Sequence, residues 1–421
     1  MLHTSLHRAL GENPGDLTDQ MIDDAVAQGI EEADDLDWKK TLPAEKDFRD
    51  SDIVKDIAAF ANAGGGVIVF GVTETNRAAT GRNDAGELSE GYERTIRKVS
   101  MAAITPPVFG VQAFVIPSTT GTRAVALVIP ASPDAPHLVF RNDTFGAPLR
   151  TGADTLWMNE RQLEMAYRSR FDGARRGEEA LQQLYEDMAA AVGADEHAVL
   201  VGAARPRTRR PRVEPRHEVT SVFYQASMVA RWWLSGNSPY GPLEDVNLYQ
   251  ARPAMDGHYL PPKDPGDYRE AHAAIYDNGS IGLSWRAGGH MHEHTGKPYG
   301  PHQIPTIAIE GFAAALIALV HAVASETSVG DYEIFLGVEL NSADGKRPEF
   351  LERNAAPPAG VHRTISGRFR PLHTIVDPSA NDTTFIRAAV DIATSALNQI
   401  GIKKPTILDT MLPPRPRDWT W

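Results

Sequence analysis

An α+β fold in more than one domain is what this sequence predicts, on three observations. Segments with helical periodicity are interleaved with short β-branched runs, and neither kind dominates. The chain has 421 residues, enough for two or three domains. An Arg/Pro-rich stretch, AARPRTRRPRVEPRH (203–217), interrupts it midway. The expected organisation is a first domain over 1–171, a helix and linker over 172–217, and a second α+β domain of unassigned role over 218–421.

Each element has its own signal. Residues 17–30, LTDQMIDDAVAQGI, read as a short helix, and the acidic EEADDLDWKK follows. Residues 50–63 read as a helix with Asp50 or Ser51 as N-cap; Ile53, Ile57 and Phe60 share its buried face. VIVFGV (67–72) reads as a buried strand. YERTIRKVSMAAI is a helix, VQAFVIP and RAVALVIP are a strand pair joined by STTGT, and the helix NERQLEMAYRSRF closes the first domain near residue 171. A separate helix, EEALQQLYEDMAAAV, comes next. In the second half a hairpin turns at Asp277-Asn278-Gly279. An Ala-rich helix near 307–325, the strand DYEIFLGVEL and a last helix, FIRAAVDIATSALNQIG, complete it.

Composition narrows the function classes. Hydrophobic residues make up 42% and charged residues 23%, as in a soluble globular protein. With no cysteine, disulfides and thiolate metal sites are excluded, and any metal would need carboxylate or histidine ligands. MLHTSLHRALGENPGD lacks the apolar core of a secretory signal, so the cytoplasm is the expected compartment. The longest apolar run, GFAAALIALVHAVA (311–324), is too short to span a bilayer and reads as a core helix, with no membrane partner expected. A net charge of −13 argues against a protein that coats nucleic acid by bulk attraction, yet leaves room for a local basic track.

The triple glycine in DIAAFANAGGGVIVFGVTE (56–74) invites comparison with a phosphate loop. Order decides against it. Phosphate loops leave a strand and enter a helix, whose free N–H groups hold the anion. Here a helix precedes the glycines and a strand follows, so carbonyls and the negative dipole end face the loop. Gly64, Gly65 and Gly66 therefore read as structural: a left-handed cap and a close approach of the next strand.

Together with the preceding acidic block, this segment resembles the Schlafen AlbA_2 family. The resemblance rests on Glu32, Asp37, Trp38 and Lys39; then Ala59, Phe60, Ala61 and Asn62; then Gly65 and Gly66; then Gly71, Val72 and Glu74; and later on Arg150 and Gly152 in PLRTGADTLWM. It covers about residues 15–170, and the C-terminal half resembles nothing recognised. It implies a mixed sheet with helices and, for one branch of the family, metal-dependent cleavage of tRNA-like RNA by three carboxylates. Carried over by position, these are Glu32, Asp37 and Glu74, with Mg²⁺ or Mn²⁺ as the ion. The family commonly has Glu at the second place and Asp at the third, so this chain exchanges both lengths. Other relatives bind DNA or regulate without cleaving.

The chemistry suits those residues. Hard cations take oxygen ligands, and one held by carboxylates neutralises a scissile phosphate and activates water. Lys39 alternates with Asp37 on an extended strand and would share its face, beside the phosphate. The competing reading makes EEADDLD a solvated acidic run and Glu74 a turn residue. A second metal candidate is HMHEH, with His290, His292 and His294, and His302 nearby; its Gly/Pro surroundings read equally as a loop. For nucleic-acid contact the candidates are Arg94, Arg97 and Lys98 on one helix, Arg150, the linker arginines Arg205, Arg207, Arg209, Arg210, Arg212 and Arg216, and Arg363, Arg368 and Arg370. Trp232 and Trp233 could stack on bases or lie in the core.

Two functions are consistent with these residues. One is a metal-dependent endoribonuclease acting on tRNA or similar structured RNA, in stress or phage defence by the resemblance, with a homodimer or the second half completing its groove. The other is a non-catalytic nucleic-acid-binding or transcriptional regulatory protein with an AlbA_2 domain. A nucleotide-dependent regulator is a third.

Overall fold

A computed structural model describes residues 4–118, 121–141, 144–192, 196–208, 218–234, 241–291, 298–327, 331–340, 342, 345–351, 362–364, 369–377 and 382–411. The fold is α+β, in two compact units, Met1–Arg176 and Gly177–Trp421.

The first unit is built on a four-stranded mixed sheet. It begins with helices α1 (Ser5–Leu10) and α2 (Asp19–Gln28), then strand β1 (Leu36–Lys39), helix α3 (Asp52–Ala63), strand β2 (Gly66–Phe70) and the hairpin β3 (Val72–Thr75) and β4 (Ala78–Arg82). Helix α4 (Glu90–Ala102) leads to β5 (Ile104–Thr105), β6 (Gln112–Ile116), β7 (Ala124–Ile129), β8 (Leu138–Arg141), β9 (Thr144–Gly146), β10 (Pro148–Thr151) and β11 (Asp154–Trp157). The sheet order is β1-β2-β7-β6. β1 lies parallel to β2, with Asp37 opposite Ile68 and Lys39 opposite Phe70.

Both faces of this sheet are covered, which is why β2 reads as an unbroken apolar run. Val67 and Val69 face one core with Leu6, Ile22, Leu36 and Trp38; Ile68 and Phe70 face the other with Ile53, Ile57 and Phe60. Each such side chain, fully buried, contributes about 2 kcal/mol. β1 alternates in the same way. Leu36 and Trp38 join the first core, so Asp37 and Lys39 are directed to the opposite side.

The glycines make the turn from α3 into β2. Gly64 caps α3 in the left-handed conformation, with φ of 104°. Gly65 also has positive φ, 89°, and a Cβ there would meet Ala131 N at 2.6 Å. A Cβ on Gly66 would collide with the Phe60 ring.

In the second unit a seven-stranded antiparallel sheet has the order β13-β14-β15-β16-β12-β18-β21. In chain order these are β12 (Val199–Pro206), β13 (Arg252–Ala254), β14 (Gly257–Leu260), β15 (Ala271–Tyr276), β16 (Ile281–Arg286), β18 (Tyr332–Glu339) and β21 (Leu372–Val376). A small sheet joins β17 (Gln303–Pro305), β19 (Glu349–Leu351) and β20 (His362–Thr364). The expected hairpin is β15–β16. Helices α6 (Val219–Trp233), α7 (Thr306–Thr327) and α8 (Asp382–Asn398) share one large core on the sheet. On the other face Leu181, Tyr185 and Met188 pack against Val199, Val201 and Phe335.

Three expectations need correction. The two helices expected over 159–171 and 178–192 are one helix, α5 (Glu160–Val192), because Gly173 and Gly177 cost about 1 kcal/mol each in a helix and do not end it. Residues 172–217 are not a linker as far as they are described. The end of α5 supplies the second unit's core, and β12 is a central strand of its sheet. Its arginines made the segment look solvated, but Arg205 pairs with Glu333 on β18 (3.2 Å), and Arg207 with Glu333 and with Asp331 just before that strand (both 3.4 Å). The apolar run 311–324 belongs to the longer α7, which is long and apolar enough to cross a membrane, yet 94% of that window is buried in the protein. Its acid, Glu310, accepts the backbone N–H groups of Thr406 (2.9 Å), Ile407 (2.7 Å) and Leu408 (3.0 Å).

The turn gives a graded test. Gly64→Ala meets open space and should cost only the left-handed strain, about 1 kcal/mol. Gly65→Ala adds a backbone collision and should cost about 3 kcal/mol. Hydrogen exchange of β2 amides in the full chain measures both; equal losses would contradict the close approach.

Candidate functional site

The polar side of β1 opens into a cleft of about 560 Å³, lined by residues of β1, α3, β3 and the β10–β11 hairpin. Asp37 lies at its base, 1% exposed. Arg150 Nη2 donates to Asp37 Oδ1 at 2.9 Å, and Lys39 Nζ pairs with Oδ2. Glu32 stands just before β1, where its Oε1 accepts the Trp38 N–H at 3.0 Å. It lines the cleft together with Asp37. Burial and the neighbouring Asp37 charge push the Glu32 carboxyl up to about 7, against the Trp38 hydrogen bond.

Glu74 lines the same cleft, from the β3–β4 hairpin. It sits on β3 beside an irregularity in the β3–β4 pairing, not at the end of β2, and its Oε2 accepts the Arg77 N–H at 2.8 Å. Among the described residues no three His, Asp or Glu side chains come together closely enough to hold a metal ion. Glu32 and Asp37 are brought together; Glu74 shares the cleft without joining them.

Arg150, expected as a nucleic-acid contact, is a correction. It is 6% exposed, and it donates to Asp37, to Leu36 O (3.2 Å) and to Ala33 O (3.4 Å), with its guanidinium over the Phe60 ring. It orients Asp37 and ties β10 to β1. Asn62, from the Ala-Phe-Ala-Asn block, holds the neighbouring segment: its side chain accepts from His137 N (2.7 Å) and donates to His137 O (3.0 Å) and Pro148 O (2.7 Å).

Asp56 was missed by the sequence reading. It lines the cleft from α3 at 6% exposure, and burial raises its carboxyl above the usual range against the pull of Lys39. A signal existed: Asp56 falls on the face marked by Ile53, Ile57 and Phe60, and a carboxylate on an apolar face needs a partner. Burial lowers the Lys39 ammonium, but Asp37, Asp56 and Glu32 outweigh it and hold the group above its ordinary range.

The remaining candidates lie elsewhere. Arg94 and Arg97 are exposed on α4 and pair with Glu90 (3.1 Å) and Glu93 (3.8 Å) one turn away; Lys98 is exposed beside them. Arg370 is exposed. Arg209, Arg210, Arg212, Arg216, Arg368, His292 and His294 lie outside the described residues, as does the Arg363 side chain. His290 is not a surface ligand. It is 2% exposed, its Nε2 is 2.7 Å from Arg286 O, and its ring packs edge-on to Trp285; burial lowers its pKa to about 4. His302 lies 3.6 Å from Glu349. Trp233 is a core residue and Trp232 packs half-buried against the same core.

Two outcomes follow from these contacts. Arg150→Met leaves Asp37 with one partner and should destabilise the first unit by about 3 kcal/mol, whereas Arg150→Met with Asp37→Leu should recover most of that. Calorimetry of the full chain distinguishes this from simple additivity. For His290, the folded pKa lies below the unfolded value, so its stabilisation is present above pH 6.5 and is lost as pH falls toward 4. Asp245, bonded to Trp285 and raised to about 6, acts in the opposite sense over that range. His290→Phe should therefore shrink the stability lost between pH 7 and pH 4.5 by roughly 2 kcal/mol; an unchanged acid limb in the calorimetric unfolding would contradict it.

Comparison with known proteins agrees with the family resemblance. Residues 32–159 match the family model described as Schlafen, AlbA_2. No curated protein matches the chain. Among solved structures, the N-terminal domain of a RecG-related protein from Nitrosomonas europaea is similar over 32% of this chain and 88% of that one, at 14% identity and a TM-score of 0.25. The DIP2311 protein from Corynebacterium diphtheriae is similar over 50% of this chain and 33% of its own, at 15% identity and a TM-score of 0.24. The C-terminal half matches no family model, and the cleft residues from Glu32 to Thr155 all fall within the segment that matches the Schlafen, AlbA_2 model.

Proposed function

We propose that the first unit is a metal-dependent endoribonuclease that hydrolyses phosphodiesters in tRNA or similar structured RNA. The observation that carries this is a cleft lined by Glu32, Asp37 and Glu74, with Lys39 paired to Asp37. The domain belongs to a nucleic-acid-related family. By the same resemblance the proposal extends to a cytoplasmic role in stress or phage defence and to assembly as a homodimer.

The donor set suits Mg²⁺ or Mn²⁺. Both are hard ions that take oxygen ligands, and Mg²⁺ is commonly held by one or two carboxylates with waters completing its shell. Asp37 and Glu32 crowd like charge into a partly buried space, as the raised Glu32 carboxyl records. Glu32 and Asp37 would hold the ion, with Glu74 as the third carboxylate that the resemblance implies. When bound, the ion supplies charge neutralisation at the phosphate and activation of water. Arg150 fixes the Asp37 carboxylate, and Lys39 presents an ammonium to the phosphate or to the leaving oxygen.

One observation favours a second reading, a non-catalytic nucleic-acid-binding or regulatory module: no three-ligand metal set forms among the described residues. An assay separates the two. Purified protein is incubated with total tRNA and Mg²⁺ or Mn²⁺, or with chelator. Metal-dependent cleavage is expected, with Glu32→Gln, Asp37→Asn and Glu74→Ala each losing it by 100-fold or more, on the order of ~3 kcal/mol of transition-state stabilisation. Inert wild-type protein under every condition would favour the binding module; cleavage retained in Asp37→Asn would sink the residue assignment.

A further inference from the structure

We propose that Trp157 is a stacking platform for an unpaired nucleobase next to the cleft, so that the substrate is bound where its bases are not paired. This rests on the reading of the cleft as a phosphodiester site.

Trp157 is 51% exposed, unusual for the largest apolar side chain. Its placement is set by the β10–β11 hairpin. Arg150 pairs with Thr155 and Pro148 with Trp157 across the two strands. Thr155 lines the cleft, and period two puts Trp157 on the same face of β11 as Thr155. Two residues of strand separate them by about 7 Å, the scale of one nucleotide step. Leu156, between them, points to the other face and is also exposed.

The indole is also braced. It lies against the backbone of Gly146, where a Cβ would come within 2.7 Å of Trp157 Cε3. Only a residue without a side chain lets the ring lie this close. One side of the ring is thus seated on main chain while half the side chain stays in solvent. A rigid, half-exposed aromatic beside a phosphate site is what sequence-tolerant recognition of unpaired bases uses.

Charge makes such a contact necessary. Six carboxylates and four cations line the cleft, so its balance is negative. Backbone phosphates gain little from such a surface by general attraction. Affinity must come from a bound cation and from contacts that do not depend on charge, and stacking on Trp157 is of that kind.

The test is equilibrium binding of the full chain to a short fluorescein-labelled unstructured RNA and to the same sequence as a duplex, with Ca²⁺ as the only divalent ion. Wild-type protein should prefer the unpaired RNA. Trp157→Ala should weaken that binding roughly tenfold or more, remove the preference and leave duplex binding nearly unchanged. Trp157→Phe should keep most of the affinity, and Leu156→Ala should behave as wild type. Equal affinity of Trp157→Ala and wild type for unpaired RNA overturns the proposal, as does an equal loss in Leu156→Ala, which would implicate hairpin folding and not the ring. If Lys39→Ala weakens both RNAs while Trp157→Ala changes neither, the cleft reading stands and the stacking platform falls. If wild-type protein binds neither RNA, both fall.

Discussion

The buried pair between Asp37 and Arg150 is the interaction on which the first unit's architecture turns. Both side chains are almost wholly withdrawn from water, at 2% and 3% exposure. A carboxylate in that position is tolerable only with partners held in place, because removing either member strands a charge in a poor dielectric. Arg150 is delivered by β10, and Asn62 bonds the carbonyl of Pro148 at the start of that strand. The end of α3, the start of β10 and the polar face of β1 are therefore tied together. The chemistry of the cleft and the register of its walls have the same origin.

This arrangement explains how an acidic protein keeps several carboxylates around one cleft. Lys39 and Arg150 are set against Asp37, Glu32 and Asp56, so the group is short of positive charge. Burial, with the Asp37 charge adding to it, holds the carboxyls of Glu32 and Asp56 above their ordinary range. Perturbed groups in an open cleft are a reason to look for function there, whereas His290 in the second unit is shifted, chiefly by burial, at a position closed to solvent. What separates the two is access: one faces solvent across the cleft and the other is sealed against Trp285.

Much of this was legible in the sequence where the signal is local. The alternation in LDWK foretells which side chains of β1 reach the core and which reach the cleft, and helix-then-glycine-then-strand order forecasts a capped turn. The role of Arg150 was not legible, because its partner lies 113 residues away and exposure cannot be read from an Arg-x-Gly pattern. Composition misled at 203–217: prolines and arginines suggested a solvated linker, but the first residues complete a strand whose cations are answered by Glu333 and Asp331, more than 120 residues further on. Glu74 shows a subtler limit. A motif gives its position along the chain, but the β3–β4 hairpin decides which way its carboxylate leaves the backbone.

β1 is an edge strand, and its outer row of backbone groups has no neighbouring strand. An open edge of this kind is a template for pairing with another chain. Here the outward groups of Leu36 and the N–H of Trp38 are already taken: Glu32 accepts the N–H of Trp38, Arg150 donates to the carbonyl of Leu36, and Ala33 exchanges both of its bonds with Leu36. Two residues that line the cleft, Glu32 and Arg150, thus also obstruct strand addition. A variant that strips both would therefore reopen the edge and lose solubility.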